Sequence, residues 1–553
     1  MGFMSLITSI AQIARKIQYV LEFNRALHNP EEAQKKKLSR ILNDNKNTEF
    51  GKCFSFSDIN SIGDYQKRVP IQSYESLKRY ILKEISGQGN VLTNGQCIMF
   101  GTTSGTTGKP KLIPITRAYI KDYKERWQIW EYFACKDHPS IFNGKIFTMV
   151  SPKIEGYTES HIPFGSISGM MNQTQPTIIK HFYAIPYQIY TIKDYESKYY
   201  TILRLSLEQN VTLLITANPS TVLLLCEKAQ EHREEIISDI RAGTLSSKYD
   251  IPGEIRESLS LKPDIQRADE LSKIERKYFI PKNYWKDLAL IGCWKGGPLA
   301  LYLRRFQHFF GKIPVRDIGL MATEGATTIP TQDKGSGGIA AVTTSFVELM
   351  PLEEKGKKNP KCIMPYEARK GKSYYVVLTT SAGLYRYFTN DIIKVVGYRH
   401  KTPILEFLHK GEHITSITGE KLTEIQVLKA IQKASKETNV HVENFTACMH
   451  FANVPYYDFL IEPRTYVKES KLVRLVRKID ENLKILNIEY RGKRNSKRLG
   501  HPVLKLVRKG SYNNIRKAHC KKRGHDSQLK IPLLSPRTDF EKRVKIEKEI
   551  RIR

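Results

Sequence analysis

The chain has 553 residues, of which 40% are hydrophobic and 26% are charged; this balance is typical of a folded globular protein and excludes a largely disordered chain. A chain of this length is too long to form one compact core, so we expect one large unit and at least one smaller one. The net charge of +33, from 89 Lys and Arg against 56 Asp and Glu, is compatible with nucleic-acid binding, with attraction to an anionic membrane or substrate, or with a general lysine-rich bias.

The first 21 residues predict an amphipathic helix packed on the domain, because Leu6, Ile10, Ile13 and Ile17 recur at helical spacing. A secretory signal is not expected there, and no apolar run reaches the roughly 18–20 residues that a membrane span requires. The eight cysteines include no CxxC pair, which favours reduced thiols and a cytoplasmic location.

Short apolar runs then alternate with helical stretches along the chain, and this alternation indicates an α/β fold with layered sheets and helices. The predicted strands of this region are 97–100, 112–115, 146–150, 212–216, 288–291, 374–378 and 404–408. The predicted helices include 75–85, 221–232 and 297–310.

A domain boundary is predicted at the polar segment 409–413, which follows the last of these strands. Beyond it, helices at 423–434 and 467–486 alternate with strands at 448–451 and 457–461. We therefore expect a large domain at 1–408 and a smaller α+β domain at 409–553.

A loop rich in Gly and Thr carries the clearest chemical signal. It lies between the first two predicted strands and comprises Thr102, Thr103, Ser104, Gly105, Thr106, Thr107, Gly108 and Lys109, preceded by Gly101. Glycines allow close backbone approach, hydroxyl and N–H groups donate to anions, and lysine offsets negative charge. These are the requirements of a polyphosphate site, although the spacing is not that of a Walker A motif, since Pro110 follows the lysine.

The loop resembles the phosphate-binding motif of the adenylate-forming superfamily, which includes acyl-CoA synthetases and luciferases. Within that superfamily, the chain most resembles the plant auxin-responsive acyl-acid amido synthetases and their bacterial relatives. Ordered matches across about residues 40–535 carry this resemblance: 48–51, 156–169, 217–220, 294–297, 321–325, 383–387 with Asp391, 419–425 and 528–532. The resemblance implies an ATP-dependent ligase that joins an acyl acid to an amine or amino acid through an acyl-adenylate. It also implies that the large domain at 1–408 binds ATP and the acyl acid and that the domain at 409–553 is mobile.

The resemblance also implies roles for individual residues. Thr323 lies beside the nucleotide, Glu324 holds Mg²⁺, and Asp391 binds the ribose hydroxyls. Lys109 and Lys530 are the catalytic lysines, and Lys530 contacts the α-phosphate and the carboxylate during adenylation. The acyl-binding residues are His161, Gly165 and Trp294, and the hinge candidates are His409, Lys410 and Gly411.

Two positions depart from the family pattern. Relatives carry an aromatic residue at the position of Leu320, where the adenine stacks, and leucine lacks that stacking geometry. Relatives carry glycine before the ribose-binding aspartate, where this chain has Asn390. Asparagine tolerates left-handed backbone angles better than most residues, so we expect the turn to persist.

Two alternatives stay open at this point. One is the same adenylation followed by transfer to coenzyme A. The other is a basic nucleic-acid or membrane-surface protein on a degenerate scaffold, although the aromatic-basic interleaving of known nucleic-acid modules is not evident. The favoured interpretation predicts a small acyl acid and an amine or amino acid as the ligands. It predicts no nucleic-acid partner and no transmembrane segment, and it predicts a monomer.

Overall fold

The computed structural model describes residues 3–102, 111–296, 300–411, 414–415, 420, 422–450, 452, 454–495, 499–523, 531–535 and 539–552. The chain divides into two compact units: the first comprises Met1–Phe407 and Arg523–Gln528, and the second comprises Leu408–Lys522 and Leu529–Arg553. A search of the described helices finds none that is both long enough and apolar enough to traverse a bilayer.

The helices of the first unit account for most of its length. They are α1 (Phe3–His28), α2 (Pro30–Asn45), α3 (Glu49–Cys53), α4 (Ile62–Arg68), α5 (Tyr74–Ile85), α6 (Arg117–Asp137), α7 (Ile167–Gln173), α8 (Thr177–Lys180), α9 (Tyr195–Glu208), α10 (Pro219–Glu231), α11 (Arg233–Ala242), α12 (Gly253–Ser258), α13 (Ile265–Ser272), α14 (Pro281–Tyr284) and α15 (Ala300–Phe310). The helices predicted at 75–85, 221–232 and 297–310 are confirmed over their described residues.

The strands of this unit are mostly short. They are β1 (Cys97–Thr102), β2 (Leu112–Thr116), β3 (Lys145–Met149), β4 (Gly156–Tyr157), β5 (Pro163–Gly165), β6 (Val211–Thr216), β7 (Leu290–Gly292), β8 (Val315–Arg316), β9 (Met321–Ala322), β10 (Gly325–Ala326), β11 (Thr328–Ile329), β12 (Gly337–Ala340), β13 (Phe346–Pro351), β14 (Ser373–Thr379), β15 (Tyr387–Arg399) and β16 (Thr402–Lys410).

These strands form three larger sheets and one hairpin. The order β3-β6-β7-β8 is parallel throughout, and helices connect its strands, which confirms the predicted α/β layering. A second sheet has the order β2-β1-β5-β4, and a six-stranded sheet has the order β11-β12-β16-β15-β14-β13. The hairpin pairs β9 with β10.

The predicted N-terminal helix is confirmed as α1, which packs on the domain through its C-terminal half. Ile17 of the predicted apolar stripe is 48% exposed, so the stripe is not the packed face at this position. Phe23 and Leu27 of α1 are buried in one apolar cluster with Ile129 and Trp130 of α6. Burying side chains of this size stabilises the packing by roughly 1.5–3 kcal/mol each.

Helix α6 begins at a well-defined cap. The hydroxyl of Thr116 accepts a hydrogen bond from Tyr119 N at 3.1 Å and donates to Ser381 O at 2.8 Å. Strand β2 therefore runs directly into α6, and the rotation of this helix about its axis is set by the end of the strand.

Beyond Leu408, strands and helices alternate in a smaller α+β unit. The described elements are β17 (Ile414–Thr415), β18 (Leu422–Thr423), α16 (Glu424–Thr438), β19 (Val442–His450), β20 (Tyr456–Pro463), α17 (Glu469–Leu486), α18 (Ile488–Asn495), β21 (Val503–Val507), α19 (Ser511–Arg523), β22 (Leu534–Ser535) and β23 (Ile546–Arg551). The principal sheet has the order β22-β19-β20-β21-β23. The helices and strands predicted here are confirmed over their described residues, although the helix predicted at 467–486 begins two residues later, at Glu469, and β19 begins six residues before the predicted strand at 448–451.

Candidate active site

The Gly/Thr loop joins two paired strands. In the β1–β2 ladder, Thr102 is opposite Leu112, so the chain leaves the sheet after Thr102 and rejoins it at Leu112. The predicted residues Thr103 to Lys109 lie outside the described residues, as does Lys530. At the return of the loop, Leu112 N donates to Tyr74 Oη at 3.1 Å, and Lys111 Nζ lies 5.2 Å from the centre of the Tyr74 ring. The base of the loop is thus anchored on α5.

Thr323 and Glu324 form the tip of the β9–β10 hairpin. Ala322 is opposite Gly325, so these two residues are the turn. Thr323 Oγ1 donates to Thr102 O at 3.2 Å, and Tyr119 Oη donates to Thr323 O at 2.9 Å. Two motifs that are more than 200 residues apart in sequence therefore meet at a direct hydrogen bond.

Gly101 is required for this approach. A Cβ atom built on Gly101 would lie 2.3 Å from Thr323 Cγ2, well inside van der Waals contact. Glycine lets the hairpin tip reach the backbone of β1, and this places Glu324 beside the first residue of the loop.

The carboxylates of Glu324 and Asp391 converge near Tyr387. Burial is the main reason why the pKa of the Tyr387 hydroxyl is raised well above its ordinary value, and Glu324 and Asp391 both raise it further. Glu324 also raises the pKa of Tyr119, after burial and Tyr123. Because such interactions weaken with distance, both carboxylates lie near the Tyr387 ring.

Asp391 lies on β15 directly after a left-handed residue. Asn390 has φ of +60°, which confirms the expectation that asparagine would keep the turn normally made by glycine. Asp391 as a residue is 95% buried, and its backbone N donates to Thr389 Oγ1 at 3.2 Å. The Asn390 Oδ1 atom is buried without a hydrogen-bond partner in the described part of the chain.

Leu320 stands next to the hairpin and is half-buried. It packs against the apolar cluster that contains Ala340, Val342 and Leu378, and its N donates to Thr328 Oγ1 at 2.8 Å. An aliphatic surface therefore occupies the position where the resemblance implies an adenine-stacking ring.

Of the three predicted acyl-binding residues, two contact the elements that carry the nucleotide motifs and one does not. Gly165 pairs with Gly101 across β5 and β1, and Trp294 Nε1 donates to Gly319 O at 2.9 Å, one residue before Leu320. His161 lies in an exposed turn with φ of +59°, where its N donates to Thr158 O at 2.9 Å. The described contacts join the first two to the nucleotide motifs and do not join His161 to them.

Arg126 was not identified from the sequence, yet it is a strong candidate. It lies on α6 with no exposed surface, and none of its three guanidinium nitrogens has a hydrogen-bond partner among the described residues. Burial lowers its pKa to about 10, so it stays charged at neutral pH. The buried carboxylate of Asp317 offsets part of this charge, but the N–H groups of the guanidinium have no acceptor among the described residues, and buried donors without acceptors favour a ligand that has acceptor atoms.

The surroundings of Arg126 connect it to the nucleotide motifs. Its guanidinium carbon lies 4.6 Å from the centre of the Trp127 ring, and a Cβ atom on Gly319 would lie 2.4 Å from its Nη2. Gly319 is also the residue that accepts the Trp294 hydrogen bond. Arg126 and Trp294 thus meet at the backbone that leads into Leu320.

A sequence signal for Arg126 does exist. Tyr119, Tyr123, Arg126 and Trp130 are buried and recur at helical spacing on α6, so a charged residue falls on the apolar stripe. Which face of α6 is buried, and what lies opposite the guanidinium, depends on tertiary packing.

Arg386, within the matched segment 383–387, has a structural partner instead. It lies at φ of +47° and its Nη2 is 3.0 Å from Glu348 Oε1 in a pair that is almost fully buried. Its Nη1 donates to Gln66 O and Val69 O. We assign this arginine to the support of the sheet that carries Asp391.

Glu155 is a further residue that the sequence did not single out. The Thr102 hydroxyl lies 3.3 Å from its Oε1 atom and 3.2 Å from its Oε2 atom, and donates to the carboxylate. Glu155 is partly buried, and its N donates to Phe164 O at 2.8 Å. The segment that contains His161 and Gly165 therefore contributes a carboxylate to the start of the loop.

No cluster of three or more His, Cys, Asp or Glu side chains suited to a metal occurs in the part of the chain that the structure describes. This is compatible with Mg²⁺, which is commonly held by one or two protein carboxylates together with phosphate oxygens. Glu324 offers such a carboxylate at the hairpin tip.

Comparison with known proteins gives a consistent picture. Models of the GH3 family N-terminal, central and C-terminal domains match residues 20–315, 338–410 and 425–539. The jasmonoyl–L-amino acid synthetase GH3.5 of Oryza sativa subsp. japonica is 24% identical, over 92% of this chain and 93% of the relative.

Solved structures share the fold. The GH3.15 acyl acid amido synthetase has a TM-score of 0.84 at 20% identity and covers 95% of both chains. A 2-hydroxyisobutyryl-CoA ligase in the postadenylation state has a TM-score of 0.51 at 12% identity, over 92% of this chain and 90% of that chain. The fold of the chain is therefore that of the adenylate-forming ligases.

Proposed function

The chain belongs to the GH3 family, and from this premise we propose that it activates a carboxylic acid with ATP and joins it to an amine or amino acid. The first step is attack of the acid carboxylate on the α-phosphate, which releases pyrophosphate and gives an acyl-adenylate. The second step is attack of the amine on the acyl carbon, which releases AMP. The proposed enzyme is an AMP-forming acyl-acid amido synthetase.

One observation carries the proposal: Thr323, at the hairpin tip with Glu324, donates to the carbonyl of Thr102 at the start of the Gly/Thr loop. Glu324 and Asp391 both act on Tyr387, which supports placing them in the same proposed site. The adenylation step needs position and charge stabilisation rather than a general base, because the attacking carboxylate is already ionised. A loop rich in N–H donors, a carboxylate for the ribose and a hydroxyl at the hairpin tip are suited to that task.

Mg²⁺ fits the residues present, and Glu324 would hold it. When bound, the ion would offset the negative charge of the triphosphate. Lys109 and Lys530 are proposed to add positive charge at the phosphates, and both lie outside the described residues.

Arg126 is proposed to bind the carboxylate of the acyl acid. Its guanidinium is buried, charged and without hydrogen-bond partners among the described residues, and a planar carboxylate satisfies two of its N–H groups at once. Gly165 and Trp294 are proposed to line the same acyl site, and His161 stays a prediction.

The acceptor is proposed to be an amine or amino acid, since the relative named above is an amino acid synthetase and the structural similarity to the amido synthetase extends over nearly the whole chain. Coenzyme A is the alternative acceptor, for which the CoA ligase offers a more distant structural likeness. Movement of the second unit about His409, Lys410 and Gly411 is part of the same proposal.

The setting of the enzyme is proposed to be the cytoplasm, and its state a monomer. The seven cysteines with described side chains are free thiols, which supports a reducing compartment. Sedimentation velocity would test the oligomeric state.

The deciding experiment is carboxylate-dependent exchange of pyrophosphate into ATP with a panel of aryl and fatty acids. Exchange with any acid is expected, and mass spectrometry after addition of amino acids or coenzyme A would identify the acceptor as an amide or a thioester. Absence of exchange from folded protein with every acid would contradict the proposal. Salt-sensitive nucleic-acid binding would then favour the basic-protein alternative.

A further inference from the structure

Amide formation requires removal of a proton, and the adenylation residues do not provide for it. Amines are largely protonated at neutral pH, and only the free lone pair attacks an acyl carbon. Burial raises the pKa of Tyr119 and of Tyr387, so neither hydroxyl ionises readily enough to serve as the proton acceptor. Glu324 and Asp391 already have roles toward the metal and the ribose.

Glu155 is the remaining carboxylate at the start of the loop among the described contacts of Thr102. Both of its oxygens lie within 3.3 Å of Thr102 Oγ1, and the same hydroxyl lies 3.3 Å from Gly165 O. The carboxylate therefore lies where the phosphate-binding strand meets the segment proposed to bind the acid. A mixed anhydride of acid and phosphate must span those same two elements.

The backbone holds Glu155 firmly in this position. Strand β5 pairs with β1 at Phe164 opposite Phe100, and Glu155 N donates to the carbonyl of Phe164. A Cβ atom on Gly165 would lie 2.1 Å from Lys153 O and 3.0 Å from Glu155 N, so the chain folds tightly against this glycine. The sheet that positions the loop thus also positions the carboxylate.

The net charge of the protein gives a second reason to assign a role in the second step to Glu155. The protein carries a net charge of +33, which disfavours the approach of a cationic amine. A partly buried carboxylate beside the acyl-adenylate supplies local attraction for an ammonium group, and this attraction is stronger than at a fully exposed surface.

We propose that Glu155 is a catalytic residue of the second step, which binds the ammonium group of the acceptor and accepts one of its protons; this inference rests on the function proposed above. The freed lone pair forms the bond from nitrogen to the acyl carbon while the bond from that carbon to the phosphate oxygen breaks. AMP leaves with the bonding electron pair. The second nitrogen proton passes to solvent, and Glu155 then releases its own proton to solvent.

The test compares the two half-reactions in Glu155→Gln. Glutamine keeps the size of the side chain and an oxygen that accepts from Thr102, but it neither ionises nor accepts the proton. Pyrophosphate–ATP exchange is expected to stay within about twofold of the unaltered enzyme, whereas amide formation falls by about 10²- to 10⁴-fold at neutral pH. The KM for the amine is also expected to rise.

The pH profile provides a readout that a merely structural role would not change. As the pH rises toward the pKa of the acceptor amine, more of it is already deprotonated, and the deficit of Glu155→Gln should narrow. Glu257→Gln is the matched control, because Glu257 is an exposed glutamate on α12 and loses the same charge. Both half-reactions should be unchanged in the control.

Three outcomes would overturn the inference. Equal loss of both half-reactions would show that Glu155 supports the loop, and unchanged amide formation would show that another group accepts the proton. Loss of exchange in the unaltered enzyme would contradict the proposed function itself, so the two failures are distinguishable. Exchange that persists with a pH-dependent defect in amide formation would support Glu155 in the stated role.

Discussion

At the scale of single residues, the hairpin tip gives the most direct prediction. Glu324→Gln removes the carboxylate that is proposed to hold Mg²⁺ while the side chain keeps its size. We expect pyrophosphate–ATP exchange to fall by about 10²-fold, because charge stabilisation at the triphosphate weakens. Raising the Mg²⁺ concentration should restore part of the rate.

The measurement is the exchange rate as a function of Mg²⁺ concentration. Glu257→Gln serves again as the control, because it removes an exposed glutamate distant from the proposed roles. A full rate in Glu324→Gln at every Mg²⁺ concentration would contradict the metal assignment.

Arg126 supports a second residue-scale prediction. Arg126→Met keeps an unbranched apolar side chain in the buried position but removes the cation. The KM for the acyl acid is expected to rise by at least about tenfold, since a charged hydrogen bond contributes roughly 1.5–3 kcal/mol, while the KM for ATP changes little. Exchange kinetics with varied acid and varied ATP would measure both.

The outcome of Arg126→Met is informative in either direction. The substitution removes a buried cation that lacks hydrogen-bond partners among the described residues, but it also removes a charge that interacts favourably with the buried Asp317 carboxylate, so the two effects on stability oppose each other. A gain in stability with an unchanged KM for the acid would reject the assignment of Arg126 to the carboxylate.

Gly101 is the third residue-scale case. In Gly101→Ala, the new Cβ atom would overlap Thr323 Cγ2 at 2.3 Å, so the hairpin tip must move away from Thr102. We expect a cost of about 1–3 kcal/mol and a higher KM for ATP. Gly253→Ala is the control because nothing lies within 4 Å of its Cβ position. If Gly101→Ala and Gly253→Ala had the same KM for ATP, the close approach of the hairpin tip to β1 would not be needed for ATP binding.

The sequence indicated some of these residues and not others for a physical reason. Thr323, Glu324 and Asp391 stand in short motifs whose residue types fit their tasks. Arg126 and Glu155 stand outside such motifs, and their importance comes from burial and from a contact with Thr102 that only folding creates.

At the scale of elements, the apolar periodicity predicted the strands and helices around the loop correctly. The β9–β10 hairpin was not predicted, because each strand has two residues and too little sequence to show a period. The pairing of these two short strands nevertheless puts Glu324 at the hairpin tip, so an element too short to predict positions a candidate site residue.

Helix α16 begins with a capping box that supports an element-scale prediction. Thr423 Oγ1 accepts from Gln426 N at 3.3 Å, and Gln426 Oε1 accepts from Thr423 N at 3.1 Å. Thr423→Ala should destabilise the second unit by about 0.5–2 kcal/mol. Urea unfolding followed by hydrogen exchange would locate the loss.

A conservative variant serves as the control for the cap. Thr423→Ser retains the capping hydroxyl and should recover most of the stability. Equal destabilisation by Ala and Ser would mean that the methyl group of threonine, not the cap, is responsible.

At the scale of the whole molecule, two buried glutamates predict how stability depends on pH. Burial raises the pKa of Glu84 to about 7 and the pKa of Glu125 to about 7, from 4.5 for each. The folded protein therefore keeps protons that the unfolded chain loses as the pH rises from 4.5. Each glutamate therefore lowers the free energy of unfolding progressively as the pH rises from 4.5 to about 7, by up to about 3 kcal/mol once the pH exceeds 7.

Glutamine at both positions should remove this dependence. We expect the free energy of unfolding of the Glu84→Gln, Glu125→Gln double variant to differ less between about pH 5 and about pH 8 than that of the unaltered protein. Urea unfolding at the two pH values would measure it, with Glu257→Gln as the control. An identical change with pH in the double variant and the unaltered protein would contradict the prediction.

The sequence by itself determined the α/β class, most of the helices and strands and the chemistry of the Gly/Thr loop, because these depend on local periodicity and residue type. Folding alone decided that Thr102 meets Thr323, that Arg126 is buried without a hydrogen-bond partner among the described residues, and that Glu155 lies at the start of the loop. These features depend on which faces are buried against each other. Contacts between residues far apart in the chain leave no local pattern in the sequence.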